Sequence, residues 1–410
     1  MTEIRTRCCV VGGGPAGLML ALLLARAGVD VAALEKHADF LRDFRGDTIH
    51  PSTLDVLDDL GLIDRFLKLP HQEVETLNGF VENEPFVIAD FRRLKLKRPY
   101  IALLPQWDFL DFLAEEAGRH PNFRLIRRAE VTGLARRDGR IAGVTADTPE
   151  GPLTILADLV VGADGRRSTV RERAGLEVQT LGAPMDVMWF RLPRKEMDGS
   201  ATGGRFSAGG LLVTIYRGDY WQTALVIPKG GADKVRAEGL DAFRARIGRL
   251  APFAGDGRLE DIRDWDQISV LSVAVDRLKR WSAPGVLCIG DAAHAMSPVG
   301  GVGINLAIQD AVAAGNILAA PLRDGTLTEA HLARVQERRM FPAKVTQAMQ
   351  VAVQNRVISP TLAARGRMSP PLALRLVRRF PALAAIPARL VGVGVRPERV
   401  TEPAILSPAV

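Results

Sequence analysis

The chain has 410 residues, 47% of them hydrophobic and 25% charged, which is the balance of a soluble globular protein with room for two or three domains. Gly 39 and Pro 25 exclude disorder, collagen and coiled coil as the main state, and three cysteines without metal-ligand spacing exclude a disulfide framework or a metal site and favour a cytoplasmic setting. The net charge of +7 equals that of residues 361–400 alone, where eight arginines face only Glu398, so no molecule-wide basic face and no nucleic-acid partner are expected.

In chain order, residues 7–11 read as a short buried strand. Gly12-Gly13-Gly14-Pro15-Ala16-Gly17 follows, then a helical run from Leu18 to Ala27 stopped by Gly28. A second strand, Val29 to Leu34, ends at Glu35 and Lys36. This is a βαβ unit with G-x-G-x-x-G at its first turn. Gly12 permits the tight turn, Gly14 admits a pyrophosphate, and Gly17 lets helix and strand approach closely. The helix start offers N–H groups to phosphate, and Glu35 can accept ribose hydroxyls. The motif alone does not separate FAD from NAD. Pro15, Ala16 and Lys36 belong to the same expected cofactor site.

A further apolar strand, Leu156 to Val161, leads into Gly162-Ala163-Asp164-Gly165, with a helix expected from Arg166. That turn reads either as a cofactor contact at Asp164 or as an Asp-capped strand end. Residues 180–275 alternate apolar and polar stretches, with a hairpin turn expected at 217–219. Val286 to Ile289 is a buried strand leading to Gly290-Asp291-Ala292-Ala293-His294. Pro298, Gly300, Gly301, Gly303, Ile304 and Asn305 then open a helix to Leu318. Asp291 can accept from a ribitol hydroxyl, and the glycine-rich turn brings N–H groups to developing negative charge. His294 is read as a structural hydrogen-bonder. No run of 18 apolar residues suggests a spanning helix.

These three motifs, in this order, resemble the single-component FAD-dependent aromatic monooxygenases, the para-hydroxybenzoate hydroxylase-like and ubiquinone-pathway hydroxylase-like family. The resemblance covers Arg7 to about Glu398. It implies FAD as cofactor and NADH or NADPH as a transient co-substrate. It implies hydroxylation of an aromatic, phenolic or heteroaromatic small molecule with O2 through a flavin C4a-hydroperoxide. A prenyl-reductase-like flavin enzyme or a membrane-peripheral quinone-pathway hydroxylase is the alternative. It also implies that Arg45 and Gly46 contact the FAD, that Gln106 lies near the ribitol, and that Pro298, Gly301, Gly303, Ile304 and Asn305 lie under the flavin ring. His50 is the first candidate for a substrate base, because an ordinary histidine pKa near 6.5 suits that role. Tyr216 and Arg205 are weaker candidates.

The expected fold is α/β. A Rossmann-like FAD-binding domain, discontinuous in sequence, takes 1–75, 101–179 and 276–330. An antiparallel substrate-binding β-sheet takes 76–100 and 180–275, and C-terminal helices take 331–410. Leu372, Leu376 and Phe380 recur every four residues, so an amphipathic helix packing on its own protein is expected, with its arginines in water. The expected enzyme is a cytoplasmic monomer or homodimer without stable membrane association.

Overall fold

The computed structural model describes residues 2–41, 48–199 and 202–406, and its backbone is mixed α/β. The opening strand Thr2–Val11 lies at the centre of the first sheet. It pairs in parallel with Gly151–Gly162 on one side and with Val31–Glu35 on the other. Val286–Cys288 and Phe123–Arg127 extend the parallel order outward. Cys8 to Val11 and Val31 to Leu34 are buried, which is why they read as unbroken apolar runs. Helix Pro15–Arg26 carries buried leucines around its circumference and packs against helices Gly303–Arg323 and Gln106–Gly118. The chain therefore returns three times to one edge of this sheet, where the carboxyl ends of its neighbouring strands carry the glycine-rich turns.

The second sheet has seven strands. Their order is Ser269–Leu271, Met185–Pro193, Tyr220–Pro228, Gly210–Tyr216, Gly203–Ser207, Thr76–Val81 and Glu84–Asp90. The hairpin turn at 217–219 closes with Arg217 N–H donating to the Tyr220 carbonyl at 3.0 Å. The expectation of a wholly antiparallel sheet is corrected at one pairing, since Gly203–Ser207 runs parallel to Thr76–Val81. These two strands come from distant parts of the chain, so no hairpin fixes their relative direction.

Alternation along the strands divides this sheet into two faces. Val187, Leu211, Val213, Ala224 and Val226 face Val299, Val353 and Ile358. Met188, Phe190, Leu212, Trp221 and Leu225 face the other way, under Phe243 and Ile247 of helix Leu240–Leu250.

Two helices bear on the sequence expectations, and the second corrects one of them. Val299–Arg323 is long and apolar enough to cross a membrane by composition, but 83% of its apolar window is buried inside the protein. Its scattered Asn305, Gln309 and Asp310 break the apolar run in sequence without making the helix polar on average. Helix Leu372–Arg379 does form, yet it does not bury its apolar stripe. Leu372 is 68% exposed and Phe380 54% exposed. The arginines do lie in water, but the leucines join them there.

Candidate active site

The opening turn is shaped by close approach. Gly12 has φ +108°, and a Cβ there would meet the Ala163 carbonyl oxygen at 2.4 Å. A Cβ on Gly17 would lie 2.0 Å from the Gly12 carbonyl oxygen. Gly14 differs: its nearest neighbour is the Ala163 oxygen, 4.0 Å away, so a side chain there would fill space that the protein leaves open. No side chain caps the helix at Pro15–Arg26, which leaves its first N–H groups to a ligand. Glu35 is buried and accepts from Gly13 N–H at 3.1 Å and His37 N–H at 2.9 Å, which ties the second strand to the turn. Lys36, one residue on, is exposed.

The second motif takes the capping role. Asp164 accepts from Ser168 Oγ at 2.5 Å and from Val170 N–H at 3.1 Å. Burial raises its pKa against these bonds. The helix expected from Arg166 starts at Thr169, because Ser168 caps it by accepting from Arg171 N–H at 3.0 Å. Arg166 reaches instead to the third motif, donating from Nε to Asp291 Oδ2 at 3.0 Å. Its buried Nη1 has no hydrogen-bond partner among the described residues. That orphaned donor, the open space at Gly14 and the uncapped helix start suit the phosphates and hydroxyls of a dinucleotide, so the residues present fit FAD.

The third turn is held from behind. Gly290 has φ +60°, and a Cβ there would crowd Ala16 and Ala307. His294 and Asp310 are fully buried, and His294 Nε2 lies 2.5 Å from Asp310 Oδ2, the structural role expected of it. Arg339 Nε donates to Asp310 at 3.0 Å and its Nη1 to Glu398 at 3.2 Å. Burial alone would raise the Asp310 pKa, but His294 and Arg339 outweigh it and hold the carboxyl below its ordinary value. Three glutamines on one face of a continuous helical stretch grip the same turn. Gln347 Nε2 donates to the Ala295 carbonyl at 3.1 Å. Gln350 Nε2 donates to the carbonyls of Ser297 and Val299 at 2.8 and 2.9 Å, while its Oε1 accepts from Ser297 N–H at 3.1 Å. Gln354 Nε2 donates to Ser297 Oγ at 2.7 Å. Pro298 is half-buried beside this grip, and Gly301 is pressed against Thr48, whose Oγ1 donates to the Gly301 carbonyl at 2.9 Å.

Asn305 is committed inside the protein. Its Oδ1 accepts from His50 N–H at 2.9 Å and Thr53 Oγ1 at 2.7 Å, and its Nδ2 donates to the Thr48 carbonyl at 3.1 Å. Gly303 and the buried Ile304 open the helix beside it. His50 itself is fully buried, with Nδ1 2.8 Å from the Val391 carbonyl and Nε2 without a partner among the described residues. Burial pushes its pKa down to about 4, against the raising effect of that carbonyl. The ordinary value near 6.5 assumed from sequence is thereby corrected. Gln106 begins helix Gln106–Gly118. Arg45 and Gly46 lie outside the described residues.

Tyr216 and Arg205 are placed on the sheet face away from the Val299 turn. Arg205 pairs with Leu212 across the strands, and Tyr216 packs with Trp221 at a ring separation of 5.9 Å. Sequence reading missed Arg166, Arg339 and the glutamines. The spacing Gln347, Gln350, Gln354 on one helix was the available signal.

Residues 5–349 match the family described as an FAD binding domain. The chain is 34% identical over 391 residues to 6-methylpretetramide 4-monooxygenase of Streptomyces rimosus, which spans 94% of this chain and 92% of that protein. The chain belongs to the family of FAD-dependent aromatic monooxygenases. Rifampicin monooxygenase of Streptomyces venezuelae is 32% identical to this enzyme over 331 residues, 78% of this chain and 65% of its own. The solved structure of an anhydrotetracycline hydroxylase from Streptomyces rimosus superposes with a TM-score of 0.76 at 25% identity, covering 97% of this chain and 78% of its own.

Proposed function

We propose that the enzyme hydroxylates an aromatic small molecule, phenolic or heteroaromatic, consuming NAD(P)H and O2 and releasing water. One observation carries this reading: the Gly12–Gly17, Asp164 and Asp291 turns meet at the carboxyl ends of neighbouring parallel strands, where dinucleotides bind in open α/β sheets. We read residues 1–75, 101–179 and 276–330 as a Rossmann-like FAD domain, 76–100 and 180–275 as the substrate cover, and 331–410 as a helical buttress. The relatives named for 6-methylpretetramide and anhydrotetracycline support an aromatic substrate of that kind. They do not favour the flavin-reductase alternative.

Bound FAD, reduced by NAD(P)H, supplies the activation of O2. The chain's own residues bind, orient and exclude water. The N–H groups after Gly14 take the pyrophosphate, Glu35 the ribose, and Asp291 with Arg166 the ribitol. The N–H groups at Gly303 and Ile304 stabilise negative charge at the helix start. Pro298 forms a wall of the substrate space, and Val213 and Ile215 keep its other side dry. His50, neutral and with Nδ1–H donating to Val391, offers its Nε2 lone pair as proton acceptor. Its low pKa makes it a weak base that rests neutral near neutrality and holds an accepted proton only briefly. We read the enzyme as cytoplasmic, a monomer or homodimer, with no nucleic-acid partner. The test is a panel of phenols and fused-ring aromatics with the FAD-loaded enzyme. At least one should stimulate NAD(P)H oxidation well above the rate without substrate. Equal basal rates across the whole panel would contradict the reading.

A further inference from the structure

A pocket of about 320 Å³ opens on the outer side of the seven-stranded sheet, lined by Phe80, Asp198, Arg205, Thr214, Trp221 and Phe253. The strand register places it. Arg205 lies opposite Phe80 on one neighbour and Leu212 on the other, and Thr214 lies opposite Thr223. All of these share the face of Leu212 and Trp221, beneath helix Leu240–Leu250, whereas Val213 points to the face of Val299. The sheet itself therefore separates this pocket from the turn at 297–301.

Its charges are unequal in their satisfaction. Asp198 is a closed account: Arg258 pairs with it in a nearly fully buried contact, and Trp221 Nε1 donates to it at 3.1 Å. Arg205 has no carboxylate partner among the described residues. Its guanidinium lies 4.1 Å from the centre of the Phe80 ring and 5.3 Å from that of Phe253. Its Nε is buried without an acceptor. Burial lowers the Arg205 pKa, and no described residue counters it. An arginine held between two rings with its buried Nε–H unpaired is costly unless something accepts from it.

We propose that this pocket is a second ligand site, taking a small aromatic carboxylate of one or two rings. The Arg205 fork matches a planar carboxylate, the Phe80, Phe253 and Trp221 rings match an aromatic body, and the volume suits a ligand of that size. A phosphate would find only one uncommitted cation. Thr214 lies on the strand whose next residues, Val213 and Ile215, face the other way, so the occupant sits behind the substrate side and is not the compound being oxidised.

The probe is benzoate, with benzamide as the uncharged control, titrated into the FAD-loaded full chain by calorimetry and by the visible flavin spectrum. The expected result is one saturable benzoate site, at least about tenfold weaker for benzamide and for Arg205→Met, with little change in the flavin band. Arg205→Lys, which keeps the charge but not the fork, should lose less. Arg205→Met should keep its FAD and unfold no earlier than wild type, since it removes a half-buried charge with no carboxylate partner among the described residues. If Arg205→Met fails to fold, Arg205→Lys alone decides: benzoate affinity unchanged from wild type rejects the site. Equal binding of benzoate and benzamide overturns the proposal. So does benzoate binding that survives Arg205→Met, a benzoate-induced flavin shift that survives it, or no saturable binding in the millimolar range.

Discussion

Gly14 and Gly17 belong to one motif but constrain different things. An added side chain at Gly17 meets the protein's own backbone at 2.0 Å, whereas at Gly14 it meets only open space. Gly14→Val should therefore fold and lose FAD, while Gly17→Val should fail to fold. Circular dichroism with released-flavin absorbance separates the two, and a folded, flavin-free Gly17→Val would contradict this reading of the turn. His50 gives a pH prediction. Its folded pKa of about 4 lies below the ordinary 6.5, so the unfolded chain binds the proton first as pH falls. The stability tied to neutral His50 is complete above about pH 6.5 and is lost on descent toward about pH 4. Between pH 7 and pH 5 the loss should be about 2 kcal/mol. Chemical denaturation of wild type and His50→Gln at both pH values checks it: the variant's pH dependence should be smaller by about that amount, and equal slopes would reject it.

At the scale of elements, the helix bearing Gln347, Gln350 and Gln354 acts as a clamp on the 295–299 turn. Gln350 satisfies three backbone groups of that turn, so Gln350→Ala leaves buried donors and acceptors unpaired, at about 1–3 kcal/mol for each group that water cannot reach. The variant should still bind FAD but waste NAD(P)H as peroxide, because the wall at Pro298 is no longer fixed. The ratio of product to NAD(P)H consumed measures this, and an unchanged ratio would mean that the clamp is only structural. The helix Leu372–Arg379 gives the opposite expectation. Leu376 is 42% exposed, so Leu376→Ser should shift stability by less than about 0.5 kcal/mol. A packed leucine would cost about 2–5 kcal/mol on truncation to alanine. A loss of that size in thermal unfolding would show that the stripe is covered in solution.

Across the whole molecule, what the sequence made legible was local in the chain. Glycines at fixed spacing, an apolar run and a terminal acid all lie within thirty residues, and each has its physical reason beside it. The glycine-rich turns were readable for that reason. What stayed hidden depends on distant segments meeting. The face on which Arg205 and Tyr216 stand is set by strand register, and a shift of one residue would reverse it. The pKa of His50 follows from its burial, and the carbonyl that partly offsets this belongs to Val391, more than three hundred residues away. Asp310, Arg339 and Glu398 form a buried chain that no spacing announces. The exposed stripe of Leu372 and Phe380 had the periodicity of a packed helix, and periodicity does not say whether anything covers it. The proposed function requires that the turns at the carboxyl ends of the parallel strands place a flavin against an aromatic substrate for oxygen transfer. Turnover of the FAD-loaded enzyme under 18O-labelled O2, with the aromatic compound that most stimulates NAD(P)H oxidation, tests that claim most directly. The expected result is a product heavier by a single labelled oxygen atom, formed in step with NAD(P)H consumption. Label appearing only in peroxide and water, with every stimulating aromatic recovered unchanged, would contradict it.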